Sequence, residues 1–436
     1  MQFVAFEFEN FKGISDPVKI DLKDGNLSFP FVLIGENGSG KTTIFDGIYL
    51  IYCLLSDVES LPCALSYLYA HKLNGKKNTI ITAYLSYNES EEKELKKIND
   101  IIDKDASNDN RILKISFSCS YYGIMDPKIS EYAISINDKI MPQNGEIFKW
   151  VENAIPHVIY NHSFMNDGKF DRTPIIFNKS SPSKELTFGN GGAISTFSSP
   201  FWKKTLNAIF IACRYKNDNH CVSCKNLNDY TDFQKNMLNC TDQDTVKKNL
   251  KLMNDYLNSA IGESLSDINK SKKKYKLILE HPAHIFPDNV AFRLLVESSD
   301  TTLPLEQQSA GFRSLICFKI LTNIYPDAIR NKNGIIFLLD EPANNLHIGV
   351  QKTILNSLNN LSKIENNKVI YSTHSSFLIN KDVCENIFHL SNCSSITCEK
   401  VLDQKMLKEI FTKDDEIFSE FVTEENEWES LLDAKV

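Results

Sequence analysis

The segment GENGSGKT, residues 35–42, constrains the fold of this chain more than any other part of its sequence. It fits the pattern G-x-x-x-x-G-K-[ST] at every defined position, between the apolar run 31–34 and the helix-compatible run 43–55. Glycines at these positions let the backbone turn tightly and direct its N–H groups at phosphate oxygens, and the N-terminus of a following helix adds a favourable dipole. The pattern therefore predicts a phosphate-binding loop that joins a buried strand to a helix.

The side chains of this loop predict more of a nucleotide-phosphate site. Lys41 is expected to reach the β- and γ-phosphates, and the Thr42 hydroxyl is a candidate ligand for Mg²⁺. The other candidate binding residues of the loop are Gly35, Glu36, Asn37, Gly38, Ser39, Gly40 and Thr43.

A second apolar run, residues 335–339, ends in the adjacent carboxylates Asp340 and Glu341. Solvated acids commonly cap strands, but a phosphate-binding loop upstream favours a catalytic role. In that interpretation Asp340 lies near a Mg²⁺ ion, and Glu341 lies beside the γ-phosphate, where it orients the attacking water.

Two further stretches predict contacts to phosphate. His374 follows the β-rich run 369–372, which is expected to be the next strand of the same sheet, and its imidazole can hydrogen-bond a terminal phosphate. Ser309 and Gly311 precede and open an amphipathic helical stretch, so they are expected to offer a hydroxyl and N–H groups at a helix N-terminus. A structural histidine and an ordinary helix cap are the alternative interpretations.

Five segments together resemble the ABC-type ATPase class: NFKGI (10–14), GENGSGKTT (35–43), SAGFRS (309–314), LLDEPANNLH (338–347) and STHSS (372–376). They look like the branch that holds RecF, the SMC proteins, the overcoming-lysogenization-defect (OLD) ATPases and the AAA15/AAA21 group. The motifs follow the order of that class: Walker A, insertion, signature, Walker B, D-loop and H-switch. Ala310 and Phe312 depart from the transporter signature, and no residue is assigned to the Q-loop. Lys12 would lie near the nucleotide, because the class often places a basic residue there.

The resemblance implies an α/β fold, namely a P-loop ABC-type ATPase head with a mixed β-lobe, a RecA-like parallel sheet and an α-helical insertion. It also implies ATP and Mg²⁺ as cofactors and a head-to-head dimer or higher homo-oligomer. Ser309 and Gly311 would close the nucleotide site of a second head in trans. The D-loop residues Asn344, Asn345 and His347 would cross the interface between the two heads.

The sequence divides into an N-terminal ATPase lobe with Walker A (1–180), a helical insertion (181–275), a C-terminal ATPase lobe with the other motifs (276–400) and an acidic tail (401–436). Lys41 and Ser309 are 268 positions apart, farther than in transporter subunits, and no heptad pattern persists as in long SMC coiled coils. Outside the motifs, strand-like patterns at 111–123 and 130–138 predict a hairpin of the β-lobe. Similar patterns at 385–390 and 394–402 predict two edge strands.

The insertion contains two features with open interpretations. Cys221 and Cys224 form a C-x₂-C pair, which is compatible either with a Zn²⁺ site or with reduced thiols that bind no metal. The lysine-rich segment 268–276 predicts either a contact with nucleic-acid phosphates or a solvated helix end. Its lysines are Lys270, Lys272, Lys273, Lys274 and Lys276.

Composition limits where such a protein would work. Its 436 residues, 42% of them hydrophobic, suffice for one large domain with an insertion or for two domains. The net charge of −8 gives no global sign of nucleic-acid binding, so such binding would be local. The N-terminal stretch lacks a signal-peptide pattern, no apolar run is long enough to span a membrane, and the eleven scattered cysteines favour reduced thiols. We therefore expect a soluble cytoplasmic protein without membrane contact.

Two functions stay open. Stand-alone AAA15/AAA21 ATPases resemble the ATPase subunits of anti-phage defence systems such as Septu and PARIS, in which a separate nuclease is the effector. The 62 residues after His374 are too few for the Toprim nuclease domain of OLD proteins, which favours this role. An amphipathic tail that docks on its own head or on a partner agrees with it (Phe418, Phe421, Trp428 and Leu431). The alternative is a RecF-like DNA-binding repair or recombination ATPase, which the lysine-rich segment favours.

Overall fold

A computed structural model of the protein describes residues 1–23, 25–56, 78–98, 111–121, 127–136, 139–141, 145–161, 175–180, 182, 187–188, 195–196, 200–218, 227, 229–262, 265, 275–280, 283–286, 289–299, 301–343, 346–392 and 395–413. The chain forms two compact units, which are described separately. The first comprises Met1–Tyr160, Asn333–Glu341 and Ile354–Val436, and the second comprises Asn161–Lys332 and Pro342–Thr353. The four-part division expected from the sequence stays a prediction.

The strands are β1 (Gln2–Glu9), β2 (Val18–Asp21), β3 (Phe31–Ile34), β4 (Thr79–Ser86), β5 (Ile112–Tyr121), β6 (Pro127–Ile136), β7 (Lys139–Met141), β8 (His157–Asn161), β9 (Ile175–Asn178), β10 (Thr187–Phe188), β11 (Ser195–Thr196), β12 (Lys276–Leu279), β13 (Ala283–Phe286), β14 (Asn289–Phe292), β15 (Leu294–Glu297), β16 (Thr302–Pro304), β17 (Ile335–Leu339), β18 (Lys368–Ser372), β19 (Ile387–Asn392) and β20 (Ile396–Lys400).

The α-helices of at least five residues are α1 (Lys41–Leu55), α2 (Glu89–Ile98), α3 (Gly145–Ala154), α4 (Pro200–Asp218), α5 (Gln243–Leu257), α6 (Ala310–Lys319), α7 (Tyr325–Ile329), α8 (Ile348–Ser362) and α9 (Gln404–Lys413). A short helix, Thr231–Phe233, continues as the π-helix Gln234–Leu238, and further π-helical turns are Asn258–Gly262 and Ile320–Ile324. Among the described helices, none has both the length and the apolar character that crossing a membrane requires.

An antiparallel sheet forms the β-lobe of the first unit, with strand order β2-β1-β4-β5-β6-β7. β5 pairs with β6 from Leu113 opposite Ile136 to Tyr121 opposite Pro127, which confirms the predicted hairpin. The apolar side chains of α1 repeat at helical spacing, and Ile44, Ile48 and Ile51 are fully buried in the core that this lobe shares with the helix.

A second sheet of the first unit has the order β20-β19-β3-β18-β17-β8, and β3, β17, β18 and β19 run parallel. Every residue of β3, β17 and β18 is buried, as expected for parallel strands that are covered on both faces. The prediction of two edge strands was wrong for β19. This strand lies inside the sheet because it pairs with β3, with Ile387 opposite Val32, and only β20 is at the edge.

The second unit combines helices with two small sheets, of order β12-β15-β16 and β13-β14-β9. An aromatic cluster forms part of its core, with ring centroids of Phe177 and Phe233 5.2 Å apart and those of Phe210 and Phe233 5.5 Å apart. The Asn254 side chain of α5 accepts a hydrogen bond from the Leu279 N–H and donates one to the Leu279 carbonyl, at 2.7 and 3.1 Å. This bidentate contact satisfies the backbone at the edge of β12.

Gly334→Ala is expected to lower the free energy of unfolding by more than about 1 kcal/mol. Gly334 has φ +89°, and a Cβ atom there would lie 1.9 Å from the carbonyl oxygen of Asn366. Urea unfolding measures the change. Gly349→Ala is the matched control, since the nearest atom to a Cβ at that position is 3.7 Å away. Equal stability of the two variants would contradict the expectation.

Candidate functional site

Three parallel strands bring the predicted nucleotide-binding residues to one edge of the sheet in the first unit. β3 leads into the phosphate loop, β17 leads into Asp340 and Glu341, and β18 leads to His374. Leu339 lies opposite Tyr371, and Ser372 lies opposite Leu33, so the three strand ends are level. Parallel strands end at a common edge, and segments that are far apart in the sequence therefore meet there.

The phosphate loop packs closely on the β19–β20 hairpin. A Cβ atom at Gly35 would lie 2.3 Å from the carbonyl oxygen of Leu390, so a side chain does not fit at this position. Asn392 Nδ2 donates a hydrogen bond to the Gly38 carbonyl oxygen at 3.1 Å. The loop ends where α1 begins at Lys41, which places the unbonded N–H groups of that helix beside the loop.

The ammonium group of Lys41 folds back onto the loop. Its Nζ donates hydrogen bonds to the carbonyl oxygens of Gly35 and Glu36, at 2.8 Å each. Burial lowers the pKa of Lys41 to about 8, although the carboxylates of Glu341, Asp340 and Glu36 act in the opposite direction. A phosphate anion at this position would favour the charged amine.

Two hydroxyl groups fix the carboxylate of Asp340. Thr42 Oγ1 donates to Asp340 Oδ2 at 2.8 Å, and Ser372 Oγ donates to Asp340 Oδ1 at 2.6 Å. Asp340 is buried, whereas Thr42 is partly exposed. In the described part of the chain, no three His, Cys, Asp or Glu side chains form a metal cluster. The Thr42 hydroxyl and the Asp340 carboxylate, 2.8 Å apart, are the oxygens at this edge that could hold a metal ion.

Glu341 has an unusual backbone conformation and a defined partner. Its φ of +48° lies in the left-handed region, which is uncommon for residues other than glycine. Its carboxylate Oε1 lies 3.0 Å from His374 Nε2. The contact with His374 holds the pKa of Glu341 below its usual value, against the opposing effect of burial. Glu341 is consequently ionised at neutral pH.

Lys12 forms an ion pair with the buried carboxylate of Asp46. The Tyr160 hydroxyl donates to the other oxygen of Asp46 at 2.8 Å. Asp46 lies on α1, one turn beyond Thr42, so the two side chains share a face of the helix. The proximity of Lys12 to bound nucleotide stays a prediction.

The residues expected to act in trans belong to the second unit. Ser309 caps α6, and its Oγ accepts a hydrogen bond from the Phe312 N–H at 3.3 Å. Gly311 lies in the first turn of this helix. His347 is exposed, and its Nδ1 accepts a hydrogen bond from the Gly349 N–H at 3.3 Å.

Other predicted residues lie outside the described residues: Asn344, Asn345, Cys221, Cys224, Lys270, Lys272, Lys273, Lys274, Phe418, Phe421, Trp428 and Leu431. Nothing in the described part of the chain supports a zinc site.

The phosphate loop, the acids at the strand end and the neighbouring histidine lie at one edge of a parallel sheet in an α/β fold, which is the arrangement of a P-loop ATPase head. Residues 1–379 match the AAA_15 family, whose description is AAA ATPase domain. Since this match covers most of the chain, the protein belongs to the AAA_15 family and is an ATPase.

The fold is similar to that of solved SMC heads. An SMC head bound to the C-winged helix domain of ScpA covers 94% of this chain and 100% of its own, with a TM-score of 0.52 and 13% identity. For an SMC head with a coiled coil and joint from Pyrococcus yayanosii, the alignment covers 94% of this chain and 99% of the SMC chain, with a TM-score of 0.49 and 10% identity. At 13% identity, the likeness to the ScpA-bound SMC head shows the fold alone.

One curated relative has a partial match. The uncharacterized protein MJECL43 of Methanocaldococcus jannaschii is 36% identical over 88 residues, which are 20% of this chain and 22% of that protein. The aligned part therefore spans about a fifth of that relative.

Sequence reasoning missed three polar side chains that hold the site in place. Asp46 gave a signal, because a lone acid within an apolar helical run needs a partner when it is buried. The sequence signal for Ser372 was weaker, because it consists only of a hydroxyl residue at the end of a β-rich run. Asn392 gave none, since its contact with Gly38 depends on the position of the β19–β20 hairpin.

ATP binding is expected to take up a proton above about pH 8, because phosphate raises the lowered pKa of Lys41. The affinity of the wild-type protein should therefore fall as the pH rises through this range. Calorimetric titration at about pH 9, in two buffers with different ionisation enthalpies, measures the uptake. Lys41→Arg is the matched control, because a guanidinium stays charged at that pH. No proton uptake by the wild-type protein would contradict the role of Lys41.

Proposed function

We propose that the protein hydrolyses ATP in a Mg²⁺-dependent reaction at the edge of the parallel sheet. The observation that carries the proposal is that the Thr42–Asp340 hydrogen bond and the Glu341–His374 contact lie at neighbouring strand ends beside the phosphate loop. Lys41 and the loop amides bind the phosphates, Glu341 orients the attacking water, and His374 senses the γ-phosphate.

The oxygen donors of this edge suit Mg²⁺. The Thr42 hydroxyl and the Asp340 carboxylate are hard oxygen ligands, and Mg²⁺ commonly combines one or two such groups with phosphate oxygens and waters. When bound, the ion neutralises negative charge on the transferring phosphoryl group.

The ionisation state of Glu341 suits a role beside the attacking water. Because the contact with His374 lowers the pKa of Glu341, its carboxylate accepts hydrogen bonds at neutral pH. A carboxylate in this state can orient water toward phosphorus and accept its proton. His374, 3.0 Å from Glu341, limits the directions in which the carboxylate can turn.

The proposal includes a second copy of the chain. In a head-to-head dimer, the nucleotide on one phosphate loop would be enclosed by Ser309 and Gly311 of the other head, and residues 343–347 would lie at the interface. Ser309 and Ala310 are exposed at the N-terminus of α6, a helix of ten residues, and a helix N-terminus favours a bound anion. This exposure supports the second contact to the γ-phosphate.

For the biological role, we propose a sensor or regulatory ATPase subunit of an anti-phage defence system that controls a separate nuclease effector. The similarity of the motifs to ATPase subunits of such systems supports this role. The protein would work in the cytoplasm, where its eleven cysteines stay reduced. The alternative is a RecF-like DNA-binding repair ATPase, which the five lysines within residues 268–276 favour.

Glu341→Gln is expected to keep ATP binding, to lower kcat by a factor on the order of 100 or more, and to accumulate as an ATP-bound dimer or larger assembly. The amide keeps the size of the side chain but cannot accept a proton from water. Phosphate release and size-exclusion chromatography with ATP measure the two effects. Glu365→Gln removes an exposed carboxylate of the same unit and should behave as the wild type. Lys41→Ala should lose binding. Wild-type turnover by Glu341→Gln would refute this assignment of the base.

Co-expression with neighbouring genes separates the two biological roles. A regulatory subunit should co-purify with a nuclease whose DNA cleavage differs between complexes that contain the wild-type chain and complexes that contain Glu341→Gln. A RecF-like protein should instead show ATPase activity that DNA stimulates in the isolated chain, with a steep dependence on salt. DNA stimulation without any nucleotide-dependent cleavage would contradict the regulatory role.

A further inference from the structure

Ser372 connects the two acids of the site through a single hydroxyl group. Its Oγ donates to Asp340 Oδ1 at 2.6 Å and accepts a hydrogen bond from the Glu341 N–H at 2.9 Å. The residue is fully buried at the end of β18 and lies beside the end of β17. Its contacts therefore cross from one strand to the residues that follow the other.

We propose that Ser372 is a positioning residue that aligns Asp340 and Glu341 for ATP hydrolysis. This inference rests on the proposed roles of the two acids. Ser372 itself touches neither the nucleotide nor the attacking water in this proposal. It acts on the reaction through the side chain of Asp340 and the backbone of Glu341.

The hydrogen-bond directions leave the Ser372 hydroxyl no alternative arrangement. A backbone N–H can only donate, so the contact with Glu341 uses a lone pair of Oγ. The single hydroxyl proton is then directed at Asp340 Oδ1, which accepts it at 2.6 Å. Alanine would supply neither contact, and a buried carboxylate oxygen and a backbone N–H would both lose their partner.

The contact with Asp340 selects which oxygen faces Thr42. With Oδ1 held by Ser372, Oδ2 lies 2.8 Å from Thr42 Oγ1, where the Mg²⁺ ion would be bound. A carboxylate without the first hydrogen bond can rotate about its terminal bond, because this torsion has broad minima. Loss of Ser372 should therefore weaken the binding of Mg²⁺ more than the binding of the nucleotide.

The contact with Glu341 stabilises its left-handed backbone. A residue other than glycine adopts φ near +48° only when surrounding contacts compensate for the strain. The N–H of Glu341 is held by Ser372, and its side chain is held by His374. The neighbouring hydroxyl of Thr373 has a different partner, since its Oγ1 accepts a hydrogen bond from the Ser375 N–H at 2.9 Å.

Ser372→Ala is expected to lower kcat on the order of 10- to 100-fold while it changes ATP affinity in EDTA by less than about threefold. The Mg²⁺ concentration for half-maximal turnover should rise. Ser372→Thr keeps the hydroxyl and should restore most of the rate. Ser362→Ala is the matched control, because Ser362 is also buried in the first unit but donates only to the Leu358 carbonyl of its own helix.

Turnover of Ser372→Ala at the rate of Ser362→Ala, with Glu341→Gln inactive, would overturn the inference and leave the proposed function intact. Turnover of Glu341→Gln at the wild-type rate would instead refute the proposed function. An equal loss of ATP affinity and kcat in Ser372→Ala would show a general structural role and also overturn the inference. Thermal unfolding verifies that each variant is folded. If Ser372→Ala does not fold, Ser372→Cys, with a weaker donor of similar size, carries the same outcomes.

Discussion

The hydrogen bond between Thr42 and Asp340 joins segments that are 298 residues apart in the sequence. It can form because β3 and β17 both flank β18 in one parallel sheet, so their carboxyl ends lie at the same edge. The phosphate loop turns over this edge, and α1 begins beside it. The rest of the site depends on this sheet order, since an antiparallel β17 would place its acids at the opposite edge.

Three charged groups lie at this edge, and each is held in a different way. Lys41 donates to two loop carbonyls, Asp340 accepts from two hydroxyls, and Glu341 contacts His374. The carbonyl and hydroxyl partners are neutral, so they satisfy the charges without neutralising them. A bound phosphate can then interact with the charge of Lys41, and a bound cation with the charge of Asp340, because the hydrogen-bond partners of these two groups carry no opposite charge. The neutral partners therefore fix the orientation of Lys41 and Asp340 and leave their charges able to act on a ligand.

Local patterns were sufficient where one stretch of sequence carries the physical cause. The glycines of residues 35–42, the apolar run before Asp340 and the cap at Ser309 each predicted the local structure that the chain adopts. Contacts that depend on strand register were not predictable in this way. The pairing of β19 with β3 was missed, because a short apolar run gives no information about its neighbours. Ser372 was missed because only the register of β17 and β18 places it beside Asp340.

Asp340 and Glu341 are adjacent in the sequence, and in a regular strand their side chains would point to opposite faces. The left-handed backbone of Glu341 ends this alternation directly after Asp340. The contacts that accompany this conformation come from Ser372 and His374, both at the end of β18. The orientation of the second acid therefore depends on the neighbouring strand as well as on its own. The end of β18 also holds Asp340, through Ser372. A displacement of β18 would therefore disturb Asp340 and Glu341 together. The alignment of the two acids consequently depends on how β17 and β18 pack.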